Sequence, residues 1–227
     1  MKIILFLSLL IWVIPGFGKV KIQKPRSQHV TAFAIIVDEM TLEKTGGAVE
    51  AYRDALEADG LSTYIVSGNW KNPDEVKAEI IKLNKRKPVL EGVVFIGDIP
   101  VALIRNAQHM TTAFKMNEDE FPFPESSVPS DRFYDDLHLT FDFICQDSVN
   151  TSHFYYKLRE DSPQQLRPTF YSGRIKYREA RGGDKYEAIA KYLAKAVREK
   201  KRANLLDCFV SFTGSGYNSE CLLAWMD

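Results

Sequence analysis

Apolar and polar positions change period several times along this chain, and each change marks an element. TAFAIIV, beginning at Thr31, is a short apolar run rich in β-formers, the length of a strand. In the following GGAVEAYRDALEADG, Val49, Tyr52, Ala55 and Leu56 recur at helical spacing, and Gly60 closes the helix. LSTYIVS reads as a second strand. Asn72 and Pro73 then supply an N-cap and a proline at the first helical position, and DEVKAEIIKLNKRK carries acids first and bases last, in agreement with a helix dipole. In LEGVVFIGDIP the run VVFI has no alternation, as befits a strand buried on both faces. The order βαβαβ predicts an α/β fold: a doubly wound, mostly parallel sheet with flanking helices and right-handed crossovers. Ligands of such sheets sit beyond the carboxyl ends of the strands, which directs attention to Gly97 and Asp98.

From Pro100 to Pro168 prolines, acids and aromatics break every long period, and only LTFDFIC alternates like a strand. This stretch is expected to be a long functional insertion with some β-structure. Regularity returns with RPTFYSGRI, followed by a helix from about Asp184 to Lys201 whose Tyr186, Ile189, Ala190, Leu193 and Val197 form one stripe. LLDCFVSF suits a further strand and FTGSGYNSE a loop, and SECLLAWMD resembles an apolar helix just beginning.

Composition narrows the setting more than the activity. MKIILFLSLLIWVIPGFG has one lysine, an apolar run too short to span a bilayer, and small residues at Gly16 and Gly18. Residues 1–18 therefore read as a secretory signal peptide and residues 19–30 as a polar leader, so the mature chain is expected to be secreted, periplasmic or extracellular, with no membrane anchor. Thirty basic residues balance thirty acidic ones, which leaves no basic surplus for nucleic acid. Three cysteines (Cys145, Cys208, Cys221) cannot all pair within the chain, so disulfides are not its framework.

No motif settles the chemistry. Gly214-Ser215-Gly216 lacks the third glycine of a dinucleotide fingerprint and the Gly-Lys-Ser/Thr of a nucleotide loop, and it is not a nucleophile elbow. His29, His109, His138 and His153 show no paired ligand spacing, and Cys145 with His109 or His138 is the one nucleophile–base pairing within the chain worth considering. VPSDRFYDDLHLTFD holds four aspartates, Asp131, Asp135, Asp136 and Asp142, among aromatics. They could form an acid/base pair, line a solvated loop whose aspartates cap turns, or bind Ca²⁺ through Asp135, Asp136 and Asp142, with Asp131 capping backbone amides.

Taken in order, VVFIGDIP, VPSDRFYDDL, the strand ending YSGRI and the helix YEAIAKYLAKAV resemble the gingipain family of secreted cysteine peptidases in the caspase-like clan. The elements that carry the resemblance are Gly97-Asp98 beside Ile99-Pro100, Ser130-Asp131 with Tyr134, and Gly173-Arg174. The resemblance implies that residues 31–203 are the first α/β subdomain of a peptidase unit and that residues 204–227 begin a second. It also implies that the catalytic His, in a His-Gly motif, and the Cys lie further along, since neither motif occurs here. On that basis no residue of this chain is catalytic, and protein or peptide substrates belong to the full-length enzyme. A non-catalytic exported binding or secretion-associated protein with the same fold is the alternative.

The leader generates a direct expectation. N-terminal sequencing of exported material should begin within a few residues of Lys19, and a start far from that position would count against the signal peptide.

Overall fold

A strand with no polar face must be covered on both sides, and the fold grows from that requirement. The computed structural model describes residues 20–110, 116–177 and 182–202. Within them the chain runs β1 (Lys21–Gln23), β2 (Thr31–Asp38), α1 (Glu39–Ala58), β3 (Leu61–Gly68), α2 (Pro73–Asn84), β4 (Val89–Ile96), β5 (Val101–Arg105), α3 (Phe123–Ser126), β6 (Val128–Pro129), α4 (Arg132–Asp135), β7 (Phe141–Gln146), β8 (His153–Leu158), β9 (Tyr171–Ile175) and α5 (Lys185–Lys200). The protein is α/β, with two mixed sheets.

The larger sheet has the order β1-β3-β2-β4-β9. Its four inner and outer long strands, β3, β2, β4 and β9, are parallel, and β1 joins antiparallel at the β3 edge. Every residue of β2 from Ala32 to Val37 is buried. On one face Val49 and Leu56 of α1 and Ile189 and Leu193 of α5 cover Phe33, Ile35, Ile65, Val94 and Ile96. On the other, Val76, Ile80 and Leu83 of α2 share a core with Ala34, Ile36, Val66 and Phe95. The second sheet, ordered β6-β5-β8-β7, contributes Ala102, Ile104, Phe154 and Tyr156 to that same core. Its central pair β5 and β8 is parallel and its outer pairings are antiparallel.

The helices start where their side chains dictate. Asn72 accepts from Glu75 N at 2.9 Å and Pro73 opens α2, as the sequence pattern predicts. Asp184 caps α5 by accepting from Glu187 N at 2.7 Å. For α1 the structure differs from expectation: the helix begins at Glu39, directly after β2, and not near Gly46. Asp38 Oδ1 accepts from Thr41 N at 2.8 Å, and Thr41, Thr45 and Val49 continue the buried stripe backward through Gly46 and Gly47. Two threonines on the buried face disguise the helical period there.

The polar leader is also structural. Lys21–Gln23 adds a strand, and downstream of it Glu57 accepts hydrogen bonds from Arg26 N, Ser27 N and Ser27 Oγ at 2.9 to 3.1 Å. Among the described residues no helix is long and apolar enough to cross a membrane.

Helix α5 clamps one face of the large sheet through only two fully buried side chains, Ile189 and Leu193. Leu193→Ala is therefore expected to cost about 3 kcal/mol of unfolding free energy, read as a lower urea midpoint at unchanged slope. A loss below about 1 kcal/mol would show that α5 does not hold this face.

Candidate functional site

The strand order reverses at β2: the chain passes from β2 to β3 on one side and returns to β4 on the other. Open α/β sheets place their ligand crevices beyond the carboxyl ends of strands at such a reversal. Here those ends are Asp38 and the Gly97-Asp98 turn. Gly97 has φ of 83°, and a Cβ built on it would lie 2.2 Å from Asp38 Oδ2 and 2.4 Å from Thr41 Oγ1. Only glycine satisfies both constraints. The two carboxylate oxygens of Asp38 are divided between helix and turn, Oδ1 accepting from Thr41 N and Oδ2 from Asp98 N, each at 2.8 Å. Lys185, opening α5, reaches back to Asp98 Oδ2 at 2.5 Å. Burial of Lys185 favours its neutral form, but Asp98 outweighs it and raises the amine above its ordinary pKa.

A second cluster lies beside the first and centres on Arg174 of β9. Its guanidinium grips Asp131 with two donors, Nη2 to Oδ1 at 2.7 Å and Nε to Oδ2 at 3.2 Å. Nη1 donates to Ile99 O at 2.8 Å and Nη2 to Pro100 O at 3.3 Å. Tyr134 Oη donates to the same Pro100 carbonyl at 2.8 Å, and burial pushes that phenol well above the usual range. The guanidinium also stacks 4.9 Å from the centre of the Phe95 ring. Gly97 N donates to Ile175 O at 3.0 Å, so the turn and β9 are joined by backbone as well.

Thus Gly97-Asp98, Ile99-Pro100, Asp131, Tyr134 and Arg174, which are scattered in the sequence, meet at one end of the large sheet. Ser130 belongs to the same region, its N–H donating to Ala102 O at 3.0 Å. Reading the sequence misses Asp38 and Lys185. The spacing Asp38-x-x-Thr41 is an N-cap signal that could have exposed the first, whereas nothing local points to the second.

The three aspartates expected to bind Ca²⁺ do not share a site. Asp135 is fully buried, with Arg132 Nη2 at 2.8 Å and Ser172 Oγ donating at 2.5 Å to its Oδ2. Burial raises its pKa, against the opposing pull of Ser172 and Arg132. Asp136 accepts from His138 N through Oδ1 and from Arg167 N through Oδ2. Asp142 lies on β7 and pairs with Arg159 at 3.2 Å. Among the described residues no group of three His, Cys, Asp or Glu side chains could hold a metal ion. Asp131 does not cap an amide with its side chain; its carboxylate is taken by Arg174.

Cys145 is half-buried on β7, and among the described residues no hydrogen bond joins it to His109 or His138. Cys208, Cys221 and Gly214-Ser215-Gly216 lie outside the described residues. The arrangement at the end of the sheet is accordingly a charged clamp, in which Asp38, Asp98, Asp131, Arg174 and Lys185 pair with one another or with backbone, while Thr41 Oγ1 is buried without a hydrogen-bond partner among the described residues.

Compared with protein-family models, with curated proteins and with solved structures, the chain matches none.

Replacing Arg174 by Lys should cost roughly 2 to 4 kcal/mol, because lysine keeps the charge but cannot serve Asp131, Ile99 O and Pro100 O together. Denaturant melts of Arg174→Lys, Asp131→Asn and the double variant measure it. Additive losses in the pair would mean that the two side chains are not coupled.

Proposed function

We propose that this chain is the first α/β subdomain of a secreted cysteine endopeptidase of the gingipain-like, caspase-like type. In this reading it is the rigid half of a peptidase unit, and the His and Cys of the dyad are supplied by sequence downstream of Asp227. The observation that carries the proposal is the convergence of the resemblance-bearing residues on Arg174. Ile99, Pro100, Asp131 and Tyr134 come from separate segments, yet each touches its guanidinium or shares its carbonyl acceptor.

The order β3-β2-β4-β9, with helices α1 and α5 on one face, gives the reading a suitable frame. The chemistry assigned to the whole enzyme is attack of a thiolate, activated by a histidine, on a peptide carbonyl to form an acyl-enzyme. In this reading the described residues contribute to that chemistry by holding shape. Their one cysteine, Cys145, is not hydrogen-bonded to His109 or His138, and Asp98 and Lys185 pair with each other.

The test has two arms. The reading frame beyond Asp227 should encode a His-Gly followed by a Cys after a small residue, and the longer product should cleave casein in a manner abolished by iodoacetamide. The 227-residue chain alone should show no thiol-dependent cleavage, with Cys145→Ala, Cys208→Ala and Cys221→Ala leaving its behaviour unchanged. A frame without the dyad would sink the proposal in favour of a non-catalytic exported binding protein, and cleavage lost in Cys145→Ala would sink it in favour of a nucleophile within this chain.

A further inference from the structure

Among the asparagines of the chain, Asn150 alone is followed two residues on by a hydroxyl side chain with no proline between, so Asn150-Thr151-Ser152 is a complete N-glycosylation sequon. The motif is short enough to arise by chance, and its placement decides what it can do. A sequon inside a core strand is silent. One at the tip of an exposed turn, in a chain that crosses a membrane, is open to a transferase.

The structure puts it in the second setting. The turn that joins β7 to β8 exposes Ser148, Val149, Asn150 and Thr151 in succession, with Val149 at 93 %. This tip is exposed without being loose. Asp147 Oδ1 accepts from Val149 N and Asn150 N, each at 2.8 Å, and Tyr155 Oη donates to its Oδ2 at 2.8 Å. Asp147 N donates to His153 O and His153 N to Asn150 O, both at 2.9 Å. Behind the turn the hairpin is anchored by Phe154, Tyr155 and Tyr156, all buried.

Within the sequon the side chains already face one another. Asn150 Oδ1 accepts from Ser152 N at 3.3 Å and from Ser152 Oγ at 2.8 Å, an Asx turn that brings the carboxamide and the hydroxyl to one side. An amide nitrogen can only donate, and Nδ2 gives one hydrogen to His153 Nε2 at 3.2 Å. Its other hydrogen has no acceptor among the described residues. An N-glycosidic bond replaces one hydrogen of Nδ2, so the unpaired one can be exchanged for a sugar while every contact of the turn is kept.

We propose that Asn150 is a site of N-linked glycosylation. Nδ2 forms a bond to the anomeric carbon of an oligosaccharide carried on a polyprenyl pyrophosphate. The bond from that carbon to the pyrophosphate oxygen breaks, the pyrophosphate departs with the electron pair, and the displaced amide proton passes to a base of the transferase. The proposal rests on export of the chain and is independent of any peptidase activity, so it stands whether or not a dyad follows Asp227.

The test is secretion of the full 227-residue chain from cultured insect cells, once with its own leader and once with residues 1–18 replaced by the leader of an unrelated secreted protein. Protein from the medium and from the secretory membranes is treated with peptide N-glycosidase in water enriched in heavy oxygen, which turns a glycosylated asparagine into labelled aspartate. Position 150 should be labelled in most molecules. Asn150→Gln and Ser152→Ala should each lose the glycan, and Ser152→Thr should keep it. The enzymatically stripped chain should match Asn150→Gln in circular dichroism and in urea midpoint. A bare Asn150 behind the unrelated leader overturns the proposal, and so does a glycan that persists in Ser152→Ala. A chain that is glycosylated behind the unrelated leader but stays in the cytosol with its own supports the site and refutes the signal peptide, so the two failures are told apart.

Discussion

The guanidinium of Arg174 is the point through which the two sheets of this protein are tied together. It projects from β9 of the large sheet and binds the Ile99-Pro100 linker that leads into the small one, together with Asp131 at the foot of α4. Charge-assisted hydrogen bonds of this kind contribute roughly 1.5 to 3 kcal/mol each, and removal of one partner leaves a part-buried charge behind. The exposed pairs offer little by comparison. Lys21 and Glu39 sit 2.8 Å apart, but both side chains are more than half exposed, and such pairs are worth about 0 to 1 kcal/mol. Magnitude therefore separates the architectural ion pair from the decorative ones, although the distances are nearly equal.

The same logic explains how an aspartate-rich segment can be folded inward. Asp135 is sealed beneath α4, where Arg132 from its own turn and Ser172 from β9 both engage its Oδ2, while Oδ1 is buried without a hydrogen-bond partner among the described residues. Its backbone is used as well, with Thr169 N donating to its carbonyl at 2.8 Å. Lys77, on α2, closes the other side by lying over the rings of Phe133 and Phe141 and donating to Leu139 O. Burial drives its pKa down to about 8, against the opposing pull of Asp74 and Asp136. Phe133 and Tyr134 are wholly buried, so α4 is anchored by aromatics and finished by charge. Asp131, Asp136 and one oxygen of Asp135 thus hold this segment in place.

How much of this could be read beforehand depends on the range of the interactions. The central strands and the capped start of α2 are local features, set by runs such as VVFI and by Asn72-Pro73, and they were legible, as was a helix beginning near Asp184. The second sheet was not: β5 and β8 pair across about fifty intervening residues, and only the alternation of LTFDFIC announced one of its strands. The site divides in the same way. Gly97-Asp98 stood out because it follows the carboxyl end of a strand in an α/β sheet, where ligands sit, and the order of Asp131, Tyr134 and Arg174 was suggestive. That Arg174 would take Asp131, and Ser172 would take Asp135, depends on which strand follows β4 in the sheet, which no periodicity encodes.

The partition of charge at the carboxyl end of the sheet bears on what that end does. Asp38 spends one oxygen on α1 and the other on the Gly97 turn, so the reversal point is filled by the protein's own carboxylate where other doubly wound sheets leave room for a ligand's anion. Lys185 closes over Asp98 from the start of α5. An anion entering at this point would have to displace an aspartate already held by two amides. The reversal point is thus a junction at which β2, the turn after β4, α1 and α5 are tied together.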